Sequence, residues 1–174
     1  MQLYKVKDDY IIYLREKEPK VLKNKEEKRP YLGVLYKVNG FDYYIPLSSP
    51  KPKHKTMKNT KDFHKIAGGA YGAINFNKII PIKQECLIEF KFKDEESEDY
   101  RLLLQNQYKV LLTMKNLIEN KTNNIYKLFH TDNNNLTKAD IKVKERCCNF
   151  DLLEELCELY EEQLEVAITG ENNK

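Results

Sequence analysis

Residues 30–51 read Pro30-Tyr31-Leu32-Gly33-Val34-Leu35-Tyr36-Lys37-Val38-Asn39-Gly40-Phe41-Asp42-Tyr43-Tyr44-Ile45-Pro46-Leu47-Ser48-Ser49-Pro50-Lys51. The residues on either side of Asn39-Gly40 are rich in aromatic and β-branched types, as expected for two largely buried strands. Asn-Gly supplies the two positive-φ positions of a type I′ turn, the strongest short-range signal for a β-hairpin. The sequence therefore predicts a rigid hairpin that presents hydroxyl and ammonium groups where the chain leaves the sheet.

The composition predicts one globular domain, 1–174, whose charge is unevenly distributed. The 174 residues are 41% hydrophobic and 33% charged, with a net charge of +3, which suits a single domain with its own core. Segment 51–65 carries six lysines against one acid, whereas segment 151–174 carries eight acids against one lysine. The acidic C-terminus thus masks a basic body, and basic surfaces favour polyanionic partners.

Several functional classes are excluded. No apolar run approaches the length of a membrane span, and Met1-Gln2-Leu3-Tyr4-Lys5 does not begin a signal peptide. The four cysteines lack a CxxC spacing, which argues against a zinc site and against a secreted disulfide framework. We therefore expect reduced, mostly buried thiols in a cytoplasmic protein without a metal, a cofactor or a membrane partner.

The order of the predicted elements indicates an α+β fold. A first strand at 3–6 precedes a helix that Asp8 or Asp9 caps and Pro19 stops, and 20–29 is predicted to be a solvated loop. After the hairpin come a bend at 68–72 and strands at 73–76, 78–82 and 85–92. One long central helix is predicted from the N-cap Ser97 to about residue 118, followed by a shorter helix at 125–129. The C-terminal helix is predicted to begin at the N-cap Asp151, and 168–174 to be a frayed tail.

Four segments, in this order along the chain, resemble the endoribonuclease toxins of type III toxin–antitoxin systems, the ToxN, AbiQ and CptN family. The most specific is the hairpin that ends in a small hydroxyl residue followed by Ser, Pro and Lys. Together the segments span most of the chain. They are Tyr31 to Lys51; Tyr71-Gly72-Ala73-Ile74-Asn75-Phe76 with Ile80-Pro81-Ile82; Tyr100-Arg101; and Cys148-Asn149-Phe150-Asp151-Leu152-Leu153-Glu154-Glu155.

The resemblance implies a strongly bent antiparallel β-sheet, similar to that of Kid/MazF toxins, flanked by helices. It implies metal-independent, sequence-selective cleavage of cellular or phage mRNA, with a role in growth arrest or phage abortive infection. The implied inhibitor is an RNA antitoxin, a tandem-repeat transcript that the toxin processes into pseudoknots and with which it closes into a ring. By position, Ser48, Ser49 and Lys51 match the active-site loop of the family, and Arg29 lies near a further basic residue.

Metal-free RNA cleavage by the 2′-hydroxyl leaves 2′,3′-cyclic phosphate and 5′-hydroxyl ends, and it needs proton transfer and positive charge at the phosphate. We predict that Lys51 supplies the charge, that Ser49 hydrogen-bonds a phosphate oxygen or the 2′-hydroxyl, and that Ser48 orients backbone and substrate. His54 is the acid/base candidate because imidazole titrates near neutrality. Alternatives stay open: Ser-Ser-Pro is also an ordinary turn sequence, and His54 could be an uninvolved surface histidine.

The predicted RNA-binding residues share positive charge or an aromatic ring near this loop. A lysine run usually forms only a solvated surface, but this one follows the predicted site directly, which favours salt-sensitive contact with RNA. Tyr31 is a candidate for base stacking, although most tyrosines are expected in the core. Tyr71 and Asn75 could read a base or serve the strand edge. The full set is Arg29, Tyr31, Lys53, Lys55, Lys58, Lys61, His64 and Lys65.

Two other functions fit the same residues. The basic loop could hold structured RNA without cutting it, or the chain could be a MazF-like ribonuclease with a protein antitoxin. Tandem non-coding repeats in the DNA upstream would favour an RNA antitoxin, whereas a small acidic open reading frame would favour a protein antitoxin.

Overall fold

A computed structural model describes the backbone of residues 1–171 and the side chains of residues 1–33 and 37–160. No helix in these ranges combines the length and the apolar character that a membrane crossing requires. The strands are β1 (Gln2–Val6), β2 (Tyr31–Val38), β3 (Phe41–Ser48), β4 (Phe63–Lys65), β5 (Ala73–Asn75), β6 (Ile80–Pro81) and β7 (Leu87–Glu89). The helices are α1 (Asp8–Lys17), α2 (Pro52–Thr56), α3 (Glu98–Thr113), α4 (Lys115–His130), α5 (Lys138–Arg146) and α6 (Phe150–Glu171).

The seven strands form one antiparallel sheet in the order β4-β5-β3-β2-β1-β7, with β6 also pairing with β3. Along one edge, β3 pairs with β2; along the other it pairs first with β6, at Tyr43–Tyr44, and then with β5, at Leu47–Ser48. The β2–β3 register shifts between Gly33 and Lys37. A register shift and a change of partner both bend a sheet, so the bent α+β architecture is confirmed.

The predicted hairpin is confirmed at its turn. Asn39 has φ 51° and Gly40 has φ 85°, the two left-handed positions that a type I′ turn requires. The break predicted near Asn77 is also confirmed, because the short turn Phe76–Lys78 separates β5 from β6. The strand predicted over 85–92 is shorter than expected, since only β7 pairs with a neighbour.

The long central helix is two helices. Met114 has φ −100° and ψ 9°, and it separates α3 from α4, which itself runs through the residues predicted to end the long helix. Leu111 and Ile118 are both fully buried on either side of the break. Because they lie seven residues apart, the apolar spacing stays in phase across Met114, and periodicity alone does not reveal the break.

The C-terminal helix begins two residues earlier than predicted. Asn149 is the N-cap, because its side-chain oxygen accepts the backbone N–H of Leu152 at 3.2 Å. The Glu18 carboxylate accepts the N–H of Asn149 at 2.9 Å, and so replaces the local glutamate of a capping box. Asp151 instead lies in the first turn, 2.8 Å from Nε2 of His130. The helix continues to Glu171, so the predicted tail is helical at 168–171, and 172–174 lie outside the described residues.

The charged connection at 20–29 is not the solvated loop that was predicted. Val21 and Asn24 are buried, and the Asn24 side-chain amide donates to the Val6 carbonyl at 2.7 Å. Three consecutive residues, 25–27, have φ between 57° and 61°. This compact turn brings Arg29 back to the end of β3. As expected, the four cysteines, all within the described residues, are buried and form no disulfide with one another.

Candidate active site

The hydroxyl of Ser48 is fixed where β3 ends. Ser48 pairs with Ala73 across the β3–β5 ladder, and the Asn75 amide Nδ2 donates to Ser48 Oγ at 2.9 Å. The hydroxyl therefore uses one lone pair on Asn75 and keeps its own proton available for donation. From the sequence, Asn75 is expected to read a base or to serve the strand edge, because the pairing that brings it to Ser48 leaves no local signal.

Two glycines allow the turn at 68–72 to pack closely against the end of β3 and the start of α2. Gly72 has φ +96°, and a Cβ there would lie 2.0 Å from the Ser48 carbonyl oxygen. Gly69 has φ +100°, and a Cβ there would lie 2.7 Å from the His54 carbonyl oxygen. Only glycine combines these backbone angles with such close approach. The segment predicted as a simple bend thus holds the backbones of both Ser48 and His54 in place.

A cleft of about 270 Å³ opens beside the strand end. Lys51 sits in extended backbone between Pro50 and Pro52, immediately before α2, and its exposed ammonium makes no hydrogen bond or ion pair with any described residue. A free ammonium on a short, proline-flanked segment is available to an incoming anion. The residues that line the cleft are Leu22, Lys25, Arg29, Ser48, Ser49, Lys51, Lys53, His54, Met57, Phe63, Asn75, Asn77 and Lys78.

His54 is buried, not a surface residue. It is only 3% exposed, its ring lies 5.8 Å from that of Phe63, and its Nδ1 has no hydrogen-bond partner among the described residues. Burial, followed by the positive charges of Lys51 and Lys53, lowers the pKa of the imidazole. The side chain is therefore neutral at pH 7, the form that accepts a proton.

Arg29 contributes a guanidinium group whose position is set by two backbone carbonyls. Its Nε donates to Lys23 O at 2.8 Å and its Nη1 to Leu47 O at 2.9 Å. An arginine has five N–H donors, so three remain for a ligand. Burial lowers its pKa, yet an arginine stays charged at any physiological pH. The structure thus places Arg29 in the cleft with Ser48, Ser49, Lys51 and His54.

The remaining predicted lysines divide into three groups. Lys53 lines the cleft, and Lys55 lies with Lys51 along an adjoining groove of about 430 Å³. Lys58 is exposed but lines neither space. Lys61 is paired with the Asp140 carboxylate, and the Lys65 backbone N–H is held by the Asn59 side chain. Lys61 thereby links the loop to α5, and the Lys65 ammonium lies 3.5 Å from the Lys55 carbonyl oxygen within segment 51–65.

Two aromatic predictions change with the structure. Tyr31 is fully buried in β2, so its ring cannot stack on a base, and this prediction is wrong. His64 lies on β4 outside the cleft and is half-buried, and its pKa is lowered by burial and by Lys121.

Among the described residues, no group of three or more His, Cys, Asp or Glu side chains is arranged to hold a metal ion.

Several residues that line the cleft carry no signal in the sequence. Lys78 is held by the Arg146 carbonyl at 2.7 Å, and Asn77 donates to the same carbonyl at 3.2 Å. Both come from the turn between β5 and β6, and Lys25 comes from the connection before β2. Tertiary pairing alone brings these segments to the hairpin end, and no local pattern marks them.

Known proteins share this architecture. A family model described as the toxin ToxN of type III toxin–antitoxin systems matches residues 2–158. Endoribonuclease ToxN of Bacillus thuringiensis subsp. kurstaki is 32% identical over 166 residues, which are 93% of this chain and 85% of that protein. Endoribonuclease AbiQ of Lactococcus lactis subsp. lactis is 31% identical over 172 residues, 92% of this chain and 89% of AbiQ.

Solved structures agree with the sequence matches. A chain from a study of type III toxin–antitoxin systems, concerning selective toxin inhibition by a non-coding RNA pseudoknot, superposes with a TM-score of 0.81 at 30% identity. That likeness covers 92% of this chain and 98% of the other. AbiQ, described as a lactococcal anti-phage endoribonuclease of the type III system, superposes with a TM-score of 0.76 at 28% identity, with the same coverage of both chains.

Proposed function

Because the chain belongs to the ToxN family of type III toxin–antitoxin toxins, we propose that it cuts RNA in the cleft at the end of β3. It is an endoribonuclease toxin, as its relatives are. One observation supports this location above all others: Ser48, Ser49, Lys51 and Arg29 line one cleft together with His54. Hydroxyls, cations and a neutral base are the groups that RNA cleavage without a metal requires.

The reaction is an attack of the ribose 2′-oxygen on the adjacent phosphorus. The bond from phosphorus to the 5′-oxygen breaks, and the products are a 2′,3′-cyclic phosphate and a 5′-hydroxyl. Negative charge builds on the non-bridging oxygens in the transition state. The Lys51 ammonium and the N–H groups of Arg29 that are not bound to carbonyls stabilise that charge. Charged groups held in place before the reaction usually make the largest single contribution to lowering the barrier.

The two serines orient the phosphate. Since Asn75 already donates to Ser48 Oγ, the Ser48 hydroxyl proton points to the substrate and hydrogen-bonds a phosphate oxygen. Ser49 hydrogen-bonds the 2′-hydroxyl or the second phosphate oxygen. Asn75 acts through Ser48 and is a positioning residue. A requirement for the 2′-hydroxyl restricts the activity to RNA.

His54 and Lys51 move the protons. The neutral His54 imidazole accepts the proton of the 2′-hydroxyl, and the Lys51 ammonium gives a proton to the leaving 5′-oxygen. Both groups regain their starting states by exchange with water. This assignment uses the lowered pKa of His54, which keeps the base form present at neutral pH.

The inhibitor in this proposal is an RNA antitoxin, a tandem-repeat transcript folded into pseudoknots that close with the toxin into a ring. A neighbouring structure concerns toxin inhibition by an RNA pseudoknot, and AbiQ is an anti-phage enzyme. The basic segment 51–65, with its six lysines against one acid, suits a phosphate backbone. The toxin then acts in the cytoplasm on cellular or phage mRNA, arresting growth or aborting infection.

The test compares two exposed lysines of the same segment. Lys51→Ala should lower the rate of cleavage by about 10²- to 10³-fold, the usual loss when one preorganised charge is removed. Lys58→Ala, which changes the same charge outside the cleft, should cut at the wild-type rate. Sequencing of the 5′-hydroxyl ends after brief expression measures both. A Lys51→Ala protein that cuts and arrests growth like the wild type would refute the proposal.

The same experiment separates the alternatives. A protein that shifts RNA in a gel but produces no cyclic-phosphate ends would be a binding module. A protein that cuts RNA and is neutralised by an upstream acidic polypeptide, not by repeat RNA, would be a MazF-like ribonuclease with a protein antitoxin.

A further inference from the structure

A buried glutamine joins α3 to the turn that supports the site. Gln107 is only 2% exposed, and its side-chain Nε2 donates to the Tyr71 carbonyl at 2.6 Å. Because a carbonyl only accepts, the amide nitrogen must face Tyr71, and the amide oxygen points the other way. That oxygen, Oε1, is shielded from solvent and has no hydrogen-bond donor among the described residues. One end of the buried amide is therefore paired and the other end is not.

Stability alone does not favour a glutamine at this position. A buried hydrogen bond makes a modest net contribution to folding, whereas a buried acceptor without a donor loses its hydration with no compensation. Gln107 also borders a narrow crevice beneath Ser48 and Ser49 that is too tight for a water molecule. An apolar side chain of similar shape would leave no polar group unpaired here. A buried polar group that is kept unpaired therefore calls for a functional explanation.

The turn at 68–72, which Gln107 holds, lies between two groups of the proposed mechanism. Gly72 packs against the Ser48 carbonyl, and Gly69 packs against the His54 carbonyl. A shift of this turn therefore changes the distance between the serine hydroxyl and the imidazole. Misplacement of a reacting group by about 1 Å can slow catalysis about 10²-fold.

We propose that Gln107 is a positioning residue for RNA cleavage, which holds the turn at 68–72 against the end of β3 and the start of α2. This rests on the function proposed above. The residue touches neither the RNA nor the reacting atoms. It sets the spacing between Ser48 and His54 through its hydrogen bond to Tyr71. Helix α3 thus contributes to the rate of cleavage from outside the cleft.

The first test uses the opposite effects that positioning predicts for rate and for stability. Gln107→Met keeps the length of the side chain but removes both the donor and the unpaired acceptor, so Tm should stay the same or rise. In single-turnover cleavage the maximal rate should fall about 10- to 10²-fold. The half-saturating protein concentration should not change, because the cations that bind RNA are untouched. Gln105→Met, the same change at a half-buried residue of α3 outside the crevice, is the matched control and should alter neither quantity.

Gln107→Glu gives a second readout, the pH dependence of cleavage. A protonated carboxyl has one O–H that can donate to the Tyr71 carbonyl, whereas a carboxylate has no donor. At each pH the rate is compared with that of the wild type. The ratio should approach the wild-type level in acid and fall as the pH rises through the pKa of the new carboxyl, which burial raises. A ratio that does not vary with pH would overturn the role of the donor.

A third readout does not depend on cleavage. The amide N–H groups of Ser49 and Lys55 share peptide units with the Ser48 and His54 carbonyls, so their NMR signals report contact with the turn. We expect both signals to shift in Gln107→Met and neither to shift in the control variant. Wild-type cleavage by Gln107→Met, or unmoved signals, would overturn the proposal. A loss of rate that appears only near a lowered Tm would also overturn it, because it would show a role in stability alone. A wild type that does not cut RNA would instead refute the proposed function.

Discussion

The close contact between Gly72 and the end of β3 gives the sharpest prediction. In Gly72→Ala, the new Cβ would start 2.0 Å from the Ser48 carbonyl oxygen, whereas carbon and oxygen normally approach to about 3.3 Å. The two backbones must therefore separate by about 1 Å, since no side-chain rotation can relieve a clash between backbone and Cβ. The same substitution also places a side chain on a residue with φ +96°.

The cost follows from these two effects. Unfavourable backbone angles cost about 1–3 kcal/mol, and overpacking costs about 1–3 kcal/mol more. The total of about 2–6 kcal/mol compares with an unfolding free energy of about 5–15 kcal/mol for a whole domain. For a chain of this size the expected fall in Tm is about 5–20 °C. The displaced Ser48 should also reduce cleavage by about 10²-fold, as misplacements of about 1 Å do.

The assay pairs Gly72→Ala with Gly68→Ala. Gly68 has φ +65° but nothing within 4 Å of a new Cβ, so Gly68→Ala should lose only the cost of its backbone angles, about 1–2 kcal/mol, and should cut RNA normally. Thermal unfolding gives Tm, and single-turnover cleavage well below each Tm gives activity free of unfolding. Equal losses of Tm and of rate in the two variants would show that contact with Ser48 has no role, and would refute the reasoning.

Four further outcomes are expected. Asn75→Ala removes the donor to Ser48 Oγ and should lower kcat/KM for RNA cleavage about 2- to 12-fold, with Tm little changed; an unchanged rate would contradict its positioning role. Because the pKa of His54 is lowered, wild-type cleavage should rise with pH only below about 6.5 and then level off, and His54→Gln should lack this inflection in a pH–rate profile. As the pH falls below that value, the unfolded chain binds the His54 proton first, so acid should lower the wild-type Tm more than that of His54→Gln. Arg146→Ala removes both guanidinium hydrogen bonds from the buried Asp62 carboxylate, which keeps the bond from Thr60, and should cost about 3–5 kcal/mol of stability; adding Asp62→Asn should recover part of the Tm, and no recovery would argue against the loss of the ion pair as the cause.

The sequence predicted those parts of the structure that depend only on residues next to each other in the chain. Asn39-Gly40 fixes its turn through its own backbone angles, and Ser48, Ser49 and Lys51 reach the cleft because they follow directly from β3. The family resemblance added the assignment of that loop to catalysis. The positions of the turn and of the loop needed nothing beyond neighbouring residues.

Features that depend on distant residues could not be predicted in the same way. Asn149 and Asp151 are both reasonable helix caps, and the Glu18 carboxylate, 131 positions away, favours the first. The full burial of Tyr31 follows from its central strand, and an aromatic ring alone does not distinguish a core residue from a base-stacking one. Gly72 and Asn75 meet Ser48 only through the β3–β5 pairing, so their support of the site had no signal in the sequence around them.

The edge strands of the sheet are very short, and this affects which class of molecule can inhibit the enzyme. The outermost strands, β4 and β7, have three residues each. A polypeptide inhibitor that binds by strand addition needs a long run of unpaired backbone N–H and C=O groups. Edge strands of three residues offer only a few such groups. Short edge strands also protect a sheet from edge-to-edge association with other copies of the same chain. A folded nucleic acid needs no unpaired edge strand, since cationic side chains can bind its phosphates.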